Sequence, residues 1–221
     1  MNIMDIIGPV MIGPSSSHTA GAVRLGILAA GILGDRPVCA RIGLHGSFGE
    51  TYKGHGTDRA LLAGLMGWLP DDSRIPDAFS YAEACGLQYV YRKVELGAAA
   101  HPNTVLFELR SAKGVTCTVK GASLGGGQVR ITEIDGFPVE LDGKLPAILT
   151  VHKDTRGVIA AVTNILAEAG VNIAAMRVFR SNKGGSASMV IECDQTVERE
   201  VIDSLAEVEE IRSVRFIGKV L

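Results

Sequence analysis

The last third of the chain carries the pattern that most restricts its fold. Residues 147–152 form a β-rich run, and an apolar helical pattern follows and stops at Gly170. Strand patterns at residues 171–180 and Ser186–Cys193 flank the turn sequence NKGG, and a second helical pattern leads to a last strand. The order β-α-β-β-α-β is that of the split βαβ motif. We therefore predict a small sheet with two helices, the first of them capped by Asp154 or Thr155.

A turn-rich connector, LDGKLP at residues 141–146, separates this region from the first part of the chain. Long glycine-punctuated strand patterns precede the connector, whereas compact strand and helix patterns follow it. The sequence thus predicts two domains, residues 1–143 and residues 147–221, and a fold class of mixed α/β (α+β) type.

The motif GPSSSHTAG at residues 13–21 stands directly before an apolar helical pattern. Unpaired N–H groups at a helix start favour a bound carboxylate or phosphate, and a hydroxyl commonly caps them. One alternative is a simple cap with solvated neighbours. A cap needs a single hydroxyl, however, and this motif has several beside a titratable imidazole. We favour an anion-binding or catalytic site built from Ser15, Ser16, Ser17, His18 and Thr19.

A second polar motif, GHGTD at residues 54–58, lies between a strand pattern at residues 38–44 and another helical pattern. We expect a glycine-rich strand-to-helix loop in which Thr57 or Asp58 caps the helix. His55 can transfer a proton or bind a carboxylate near neutral pH. A single loop histidine is more often solvated or capping. Two histidines that each precede a helix beside hydroxyls favour a shared site.

Two further loops carry polar groups or glycine. HPN at residues 101–103 lies between strand patterns, and taken alone it is typical of an ordinary hairpin connection. SLGGG at residues 123–127 is either a turn or a loop that approaches a ligand, because three glycines weaken a strand. It is not followed by the Gly-Lys-Ser/Thr of a phosphate-binding loop, and no GxGxxG fingerprint is present.

Composition excludes several classes of function. A net charge of −2 gives no electrostatic reason to expect nucleic acid or an anionic membrane as a partner. No apolar run is long enough to span a bilayer, and the N-terminus does not resemble a signal peptide, so we expect a cytoplasmic protein. The four cysteines form no CxxC or CxxxC pair, so we expect this chain to ligate no metal.

In this order, the four N-terminal motifs resemble the β chain of bacterial iron–sulfur-dependent L-serine dehydratase. The last domain resembles an ACT domain, through HKDTRG at residues 152–157 and GVNI at residues 170–173. The resemblance covers the whole chain. It implies an N-terminal domain similar to the allosteric substrate-binding domain of some phosphoglycerate dehydrogenases, followed by a ferredoxin-like ACT domain.

The resemblance also implies a function. Such an enzyme is a lyase of amino-acid catabolism and gluconeogenesis that converts L-serine to pyruvate and ammonia. Its [4Fe–4S] cluster is ligated by an α subunit, so the active enzyme is a heteromer. The β chain is expected to form a homodimer through its N-terminal domain, its ACT domain or both. The implied catalytic residues are His18 and His55, although the base that removes the α-proton stays unassigned. The implied substrate-binding residues are Ser15, Ser16, Ser17, Thr19, Thr57, His101 and Asn103.

The ACT resemblance points to Gly157 and Asn172 as effector-binding residues. Gly157 allows close backbone approach at a helix start, and Asn172 can hold the polar groups of an amino acid. Alternatively, Gly157 only eases a turn and Asn172 only bonds local backbone. An alternative for the whole chain is a purely regulatory or assembly module that binds an amino acid and has no catalytic residues.

Overall fold

The computed structural model describes residues 9–220, and the chain divides into two compact units, Met1–Asp135 and Gly136–Leu221. In the first unit a π-helical turn, Ser16–Gly21, leads into the first α-helix. The elements of this unit are α1 (Ala22–Leu33), β1 (Pro37–Leu44), α2 (Gly46–His55), α3 (Thr57–Leu65), a 3-10 turn (Ile75–Asp77), α4 (Ala78–Ala84), β2 (Gln88–Lys93), β3 (Thr104–Ser111), β4 (Thr116–Gly125) and β5 (Gln128–Ile134).

The strands of the first unit lie in the order β2-β1-β3-β4-β5. β2 is parallel to β1, and the other neighbours are antiparallel. Helix α1 packs against β3, β4 and β5, and Leu25, Leu28 and Ile32 on that helix are fully buried. Each such side chain contributes about 1.5–3 kcal/mol relative to an exposed one. The core of this unit therefore lies between α1 and the sheet.

Helices α1 and α3 cross with their backbones in contact. A Cβ added to Gly64 would lie 2.0 Å from the carbonyl oxygen of Val23, and one added to Gly26 would lie 2.5 Å from that of Leu61. Glycine is the residue that permits this approach. The crossing sets the distance between the segments that precede the two helices.

Residues 46–55 form helix α2, so the prediction of a glycine-rich loop there is wrong. Gly46 adopts a φ of +56° against Pro102, and a Cβ on Gly49 would lie 2.8 Å from the carbonyl oxygen of Leu44. Phe48, in the same helix, is fully buried. Glycine has a low intrinsic helix propensity, but the burial of Phe48 and these close contacts outweigh it.

Two other expectations for this unit are corrected. Gly56, with a φ of +68°, occupies the N-cap of α3 and no side chain bonds there, so neither Thr57 nor Asp58 is the cap. The hairpin interpretation of residues 101–103 is also wrong, because β2 and β3 both pair with β1 and not with each other. By contrast, the glycines at residues 125–127 form the tight turn between β4 and β5, all with positive φ.

The second unit begins with β6 (Phe137–Leu141), which lies ahead of the connector. The predicted order β-α-β-β-α-β follows, and the strands form one antiparallel sheet in the order β10-β7-β9-β8. Its elements are β7 (Ala147–Lys153), α5 (Val158–Glu168), β8 (Ile173–Arg180), β9 (Ser186–Cys193), α6 (Arg199–Ala206) and β10 (Ile211–Ile217). The mixed α/β class is therefore confirmed.

A compact core joins the sheet of the second unit to its two helices, with Ile148, Met189, Val162 and Leu205 among its buried side chains. The predicted cap of α5 by Asp154 or Thr155 is wrong, because Gly157 is the N-cap and no side chain bonds there. The Asp154 carboxylate instead accepts a hydrogen bond of 3.0 Å from the backbone N–H of Gly184. In the part of the chain that the structure describes, no helix is long and apolar enough to cross a membrane.

Candidate functional site

The His18 imidazole is enclosed by hydroxyl groups from two elements. Ser15 caps the π-helical turn, and its Oγ accepts the backbone N–H of His18 at 3.2 Å and lies 3.4 Å from Nδ1 of that ring. On α2, Thr51 Oγ1 lies 3.2 Å and Ser47 Oγ 3.4 Å from Nε2. Short π-helical turns are frequent at functional sites.

The hydrogen-bond network assigns the tautomer of His18. Thr51 Oγ1 donates its own hydrogen to the carbonyl oxygen of Ser47 at 2.8 Å, so it accepts from Nε2–H of His18. In the neutral ring, Nδ1 then accepts from the Ser15 hydroxyl, so both ring nitrogens of His18 are occupied.

His55 is the last residue of α2, and its ring centroid lies 4.8 Å from that of His18 with the planes tilted by 35°. Nδ1 of His55 lies 3.3 Å from the carbonyl oxygen of Thr51, so it carries the hydrogen and donates it. Within residues 9–220, Nε2 of His55 makes no hydrogen bond. Since the side chain is exposed, this nitrogen is open to a ligand or a partner.

The two histidines differ in environment. Burial lowers the pKa of His18, and the charge of His55 lowers it further. The edge of Phe48 packs on the His18 ring at a centroid distance of 5.1 Å. His18 is therefore an uncharged, fixed ring at neutral pH.

The remaining hydroxyls of the first motif divide into two groups. Ser16 and Ser17 are partly exposed, and the carbonyl oxygen of Ser17 accepts the Ser123 hydroxyl at 3.0 Å. Thr19 is 2% exposed, and its Oγ1 is buried without a hydrogen-bond partner. Sequence reasoning misses Ser123 as a supporting residue, because the SLGGG motif indicates only a turn or a loop.

The other predicted substrate-binding residues lie farther from the imidazoles. Thr57 is fully buried at the first position of α3, and its hydroxyl has no hydrogen-bond partner. The loop at residues 101–103 contacts the site through its main chain, since Pro102 O accepts from Phe48 N and Asn103 O accepts from Ser123 N. Among the described residues, no hydrogen bond joins the side chain of His101 or Asn103 to His18.

Ser47 and Thr51 are the site residues on α2 that the sequence interpretation misses. They are four positions apart on this helix, which places both on one helix face toward His18. That spacing becomes informative only when residues 46–55 are a helix, whereas the sequence pattern predicts a loop there.

The two effector candidates of the second unit are surface groups. Gly157 has a φ of +94° and no atom within 4 Å of an added Cβ, so its conformation and not a close approach requires glycine. Asn172 Nδ2 donates to Asp194 Oδ2 at 2.5 Å, so the amide is already occupied by a neighbouring loop.

The residues of the described chain do not fit an iron–sulfur cluster. Cluster ligation requires converging thiolates, whereas the free cysteines lie on separate elements: Cys39 on β1, Cys85 after α4, Cys117 on β4 and Cys193 on β9. Burial raises the pKa of the Cys193 thiol to about 11. Within residues 9–220, no three His, Cys, Asp or Glu side chains form a group that could hold a metal.

Comparison with known proteins identifies the family. Residues 2–88 match the family model of the serine dehydratase beta chain, and residues 147–210 match that of the ACT domain. The chain is 45% identical over 213 residues to the probable L-serine dehydratase, beta chain, of Bacillus subtilis, covering 96% of each protein. This chain belongs to the L-serine dehydratase beta chain family. The resemblance inferred from the motifs is thereby confirmed.

Two further proteins are similar to this chain. The L-serine dehydratase, beta chain, of Peptoniphilus asaccharolyticus is 35% identical, again over 96% of both chains. The D-3-phosphoglycerate dehydrogenase of B. subtilis is 29% identical over 72% of this chain and 30% of that enzyme. The second similarity supports the predicted relation to phosphoglycerate dehydrogenases, and the ACT match at residues 147–210 confirms the predicted ACT domain.

Proposed function

We propose that this β chain forms one wall of a composite active site that converts L-serine to pyruvate and ammonia together with an α subunit. The names of two full-length relatives as beta chains support a partner subunit. Because the described residues of this chain do not fit an iron–sulfur cluster, the proposal assigns the [4Fe–4S] cluster to the α subunit.

The observation that carries the proposal is the pair of imidazoles at 4.8 Å, one fixed and one open. β-Elimination from serine requires removal of the α-proton, and a positioned imidazole is the commonest protein group for such a transfer. His55 Nε2 is the nitrogen with a free lone pair, since Nδ1–H donates to Thr51. We therefore assign proton acceptance to His55 Nε2, with neutral His18 beside it.

A neutral His18 favours this role for His55. Two imidazolium rings at this distance repel each other, and the lowered pKa of His18 favours the neutral form of that ring when His55 accepts a proton. Ser15 and Thr51 hold His18 in this state through its two nitrogens. Ser16 and Ser17 supply hydroxyl and N–H groups for the polar atoms of the substrate. Thr19 supplies only its hydroxyl, because its N–H donates to the carbonyl oxygen of Ser15.

The test is the turnover of L-serine by the assembled two-chain enzyme. We expect His18→Ala and His55→Ala to lower kcat/KM by roughly 10²–10⁴-fold, the usual contribution of a general acid or base. Lys113→Met, an exposed site on the β3–β4 turn, is the control and leaves turnover unchanged. Copurification with the α subunit and the thermal unfolding curve verify that each variant is folded. Near-normal kinetics in both histidine variants would contradict the composite site.

A regulatory module is the second candidate, supported by the similarity to a phosphoglycerate dehydrogenase over 72% of this chain. In that case the chain binds an amino acid, and His55→Ala changes the affinity for that ligand without lowering the maximal rate of the complex. A homodimer through either unit belongs to both candidates. Sedimentation of the chain without its partner measures that state.

A further inference from the structure

A basic cleft of about 210 Å³ opens beside His55 in the first unit. The cleft is lined by Gly13, by Thr19 of the π-helical turn and by three basic side chains. His18 does not line it. The basic side chains are Lys53, His55 and Arg59, and no Asp or Glu of the described chain lines the cleft. An anionic ligand is therefore the class that this charge distribution favours.

The two permanent cations of the cleft are held by aromatic rings and not by carboxylates. Lys53 Nζ lies 5.8 Å from the centroid of Tyr52, and the Arg59 guanidinium carbon lies 5.6 Å from that of Phe79. Within residues 9–220, neither forms an ion pair. The carboxylate of Asp58 interacts with both charges at longer range, but it is 8% exposed and accepts the backbone N–H of Arg59 at 2.9 Å.

A buried hydroxyl gives an independent indication of a ligand. Thr19 lines the cleft, is 2% exposed, and leaves Oγ1 without a hydrogen-bond partner. Buried polar groups in native proteins are normally satisfied, so an orphaned hydroxyl at a cleft indicates a missing acceptor or donor. The start of α3 at Gly56 also borders the cleft and adds the positive end of a helix dipole.

We propose that this cleft is the subsite for the α-carboxylate of the substrate, with Lys53 and Arg59 as its positioning residues. The inference rests on the proposed function, because it names the end of the substrate that the site holds by charge. A carboxylate in the cleft lies beside His55, which also borders the imidazole of His18. The negative charge of this carboxylate therefore stabilises the protonated form of His55 that results when His55 removes the α-proton.

The experiment is an NMR titration of the full chain without its partner, observing the His55 ring and the Thr19 methyl group. The titrants are pyruvate, L-serine, L-serinamide (which lacks the carboxylate charge) and inorganic phosphate. We expect saturable shifts with pyruvate and L-serine only. Lys53→Met and Arg59→Met should each weaken binding by about two- to fivefold, as removal of one exposed charge contact does. The double variant should lose about tenfold, and Lys113→Met should bind as the wild type does.

Three results would overturn this assignment. These are serinamide or phosphate binding as tightly as pyruvate, unchanged affinity in the double variant, and no saturable binding of either carboxylate. Failure of the proposed function is distinguishable from failure of this assignment, because the proposed function is tested by the turnover of the His18→Ala and His55→Ala enzymes and not by the titration. If those variants are inactive while the titration fails, the composite site stands and the carboxylate is held elsewhere.

Discussion

Replacement of Gly64 by Ala tests whether the helix crossing positions the two histidines. The new Cβ would lie 2.0 Å from Val23 O and 2.9 Å from the Cα of Gly26, and contacts under 3.0 Å are essentially never observed. Both neighbours are backbone atoms, so no rotamer change relieves the contact. Helix α3 must move from α1 by about 1 Å, the difference between 3.0 and 2.0 Å.

The expected loss of stability follows from two opposing effects. Overpacking of this kind costs about 1–3 kcal/mol, and a backbone contact places Gly64→Ala at the upper end. Alanine gains about 1 kcal/mol over glycine in a helix, so the net loss is about 2 kcal/mol. The single tryptophan, Trp68, is 8% exposed in the first unit, and its fluorescence in urea reports the unfolding of that unit.

The expected loss of activity is larger than the loss of stability. His18 precedes α1 and His55 precedes α3, so a shift of about 1 Å between the helices can reduce turnover by about 10²-fold. Gly54→Ala is the control for folding, because an added Cβ there meets nothing within 4 Å and should stabilise the chain slightly. Full turnover in Gly64→Ala, or an unchanged urea midpoint, would refute the reasoning.

Further predictions concern single side chains. Ser123→Ala leaves Ser17 O without its buried donor, so we expect a loss of about 1–3 kcal/mol in urea unfolding and a lower kcat. Because the pKa of His18 is lowered in the folded state, the unfolded chain binds more protons as the pH falls below about 6.5, and the free energy of unfolding decreases there. His55→Ala should raise the pKa of His18 in an NMR titration, and an unchanged value would show that the two rings are not coupled. Thr51→Val removes the acceptor for His18 Nε2–H and should shift the tautomer seen in ¹⁵N ring spectra, whereas Thr51→Ser should not. Asn172→Ala should change stability by less than about 1 kcal/mol, because its partner Asp194 is exposed, and a loss of amino-acid binding by calorimetry would support an effector site.

The second unit could be predicted closely from its sequence. Its apolar residues recur at the strand period in the strands and at the helical period in the helices. The predicted bounds of strand β9 are those that the structure shows. The cap of α5 was not predictable in this way. Asp154 has a suitable residue type at a plausible position, but its carboxylate is bound by the Gly184 N–H from the opposite hairpin.

The candidate site could be predicted only in part. His18 and His55 stand out because each lies among hydroxyls or glycines at a helix start, yet their proximity depends on α2, which its glycine content conceals. Thr57 meets the same local criteria and is fully buried instead, because packing of α3 and not local sequence decides its exposure. Whether Ser16, Ser17, His101 and Asn103 bind substrate stays a prediction.

Thr51 serves both histidines, but through groups of different kinds. Its side-chain hydroxyl accepts from His18, whereas its main-chain carbonyl oxygen accepts from His55. A substitution at position 51 can therefore release the first ring while the second keeps its hydrogen bond for as long as α2 persists. Sequence variation at this position can change the hydrogen bonding of His18 alone. The orientation of His55 depends instead on the main chain of α2, which a substitution of the side chain leaves in place.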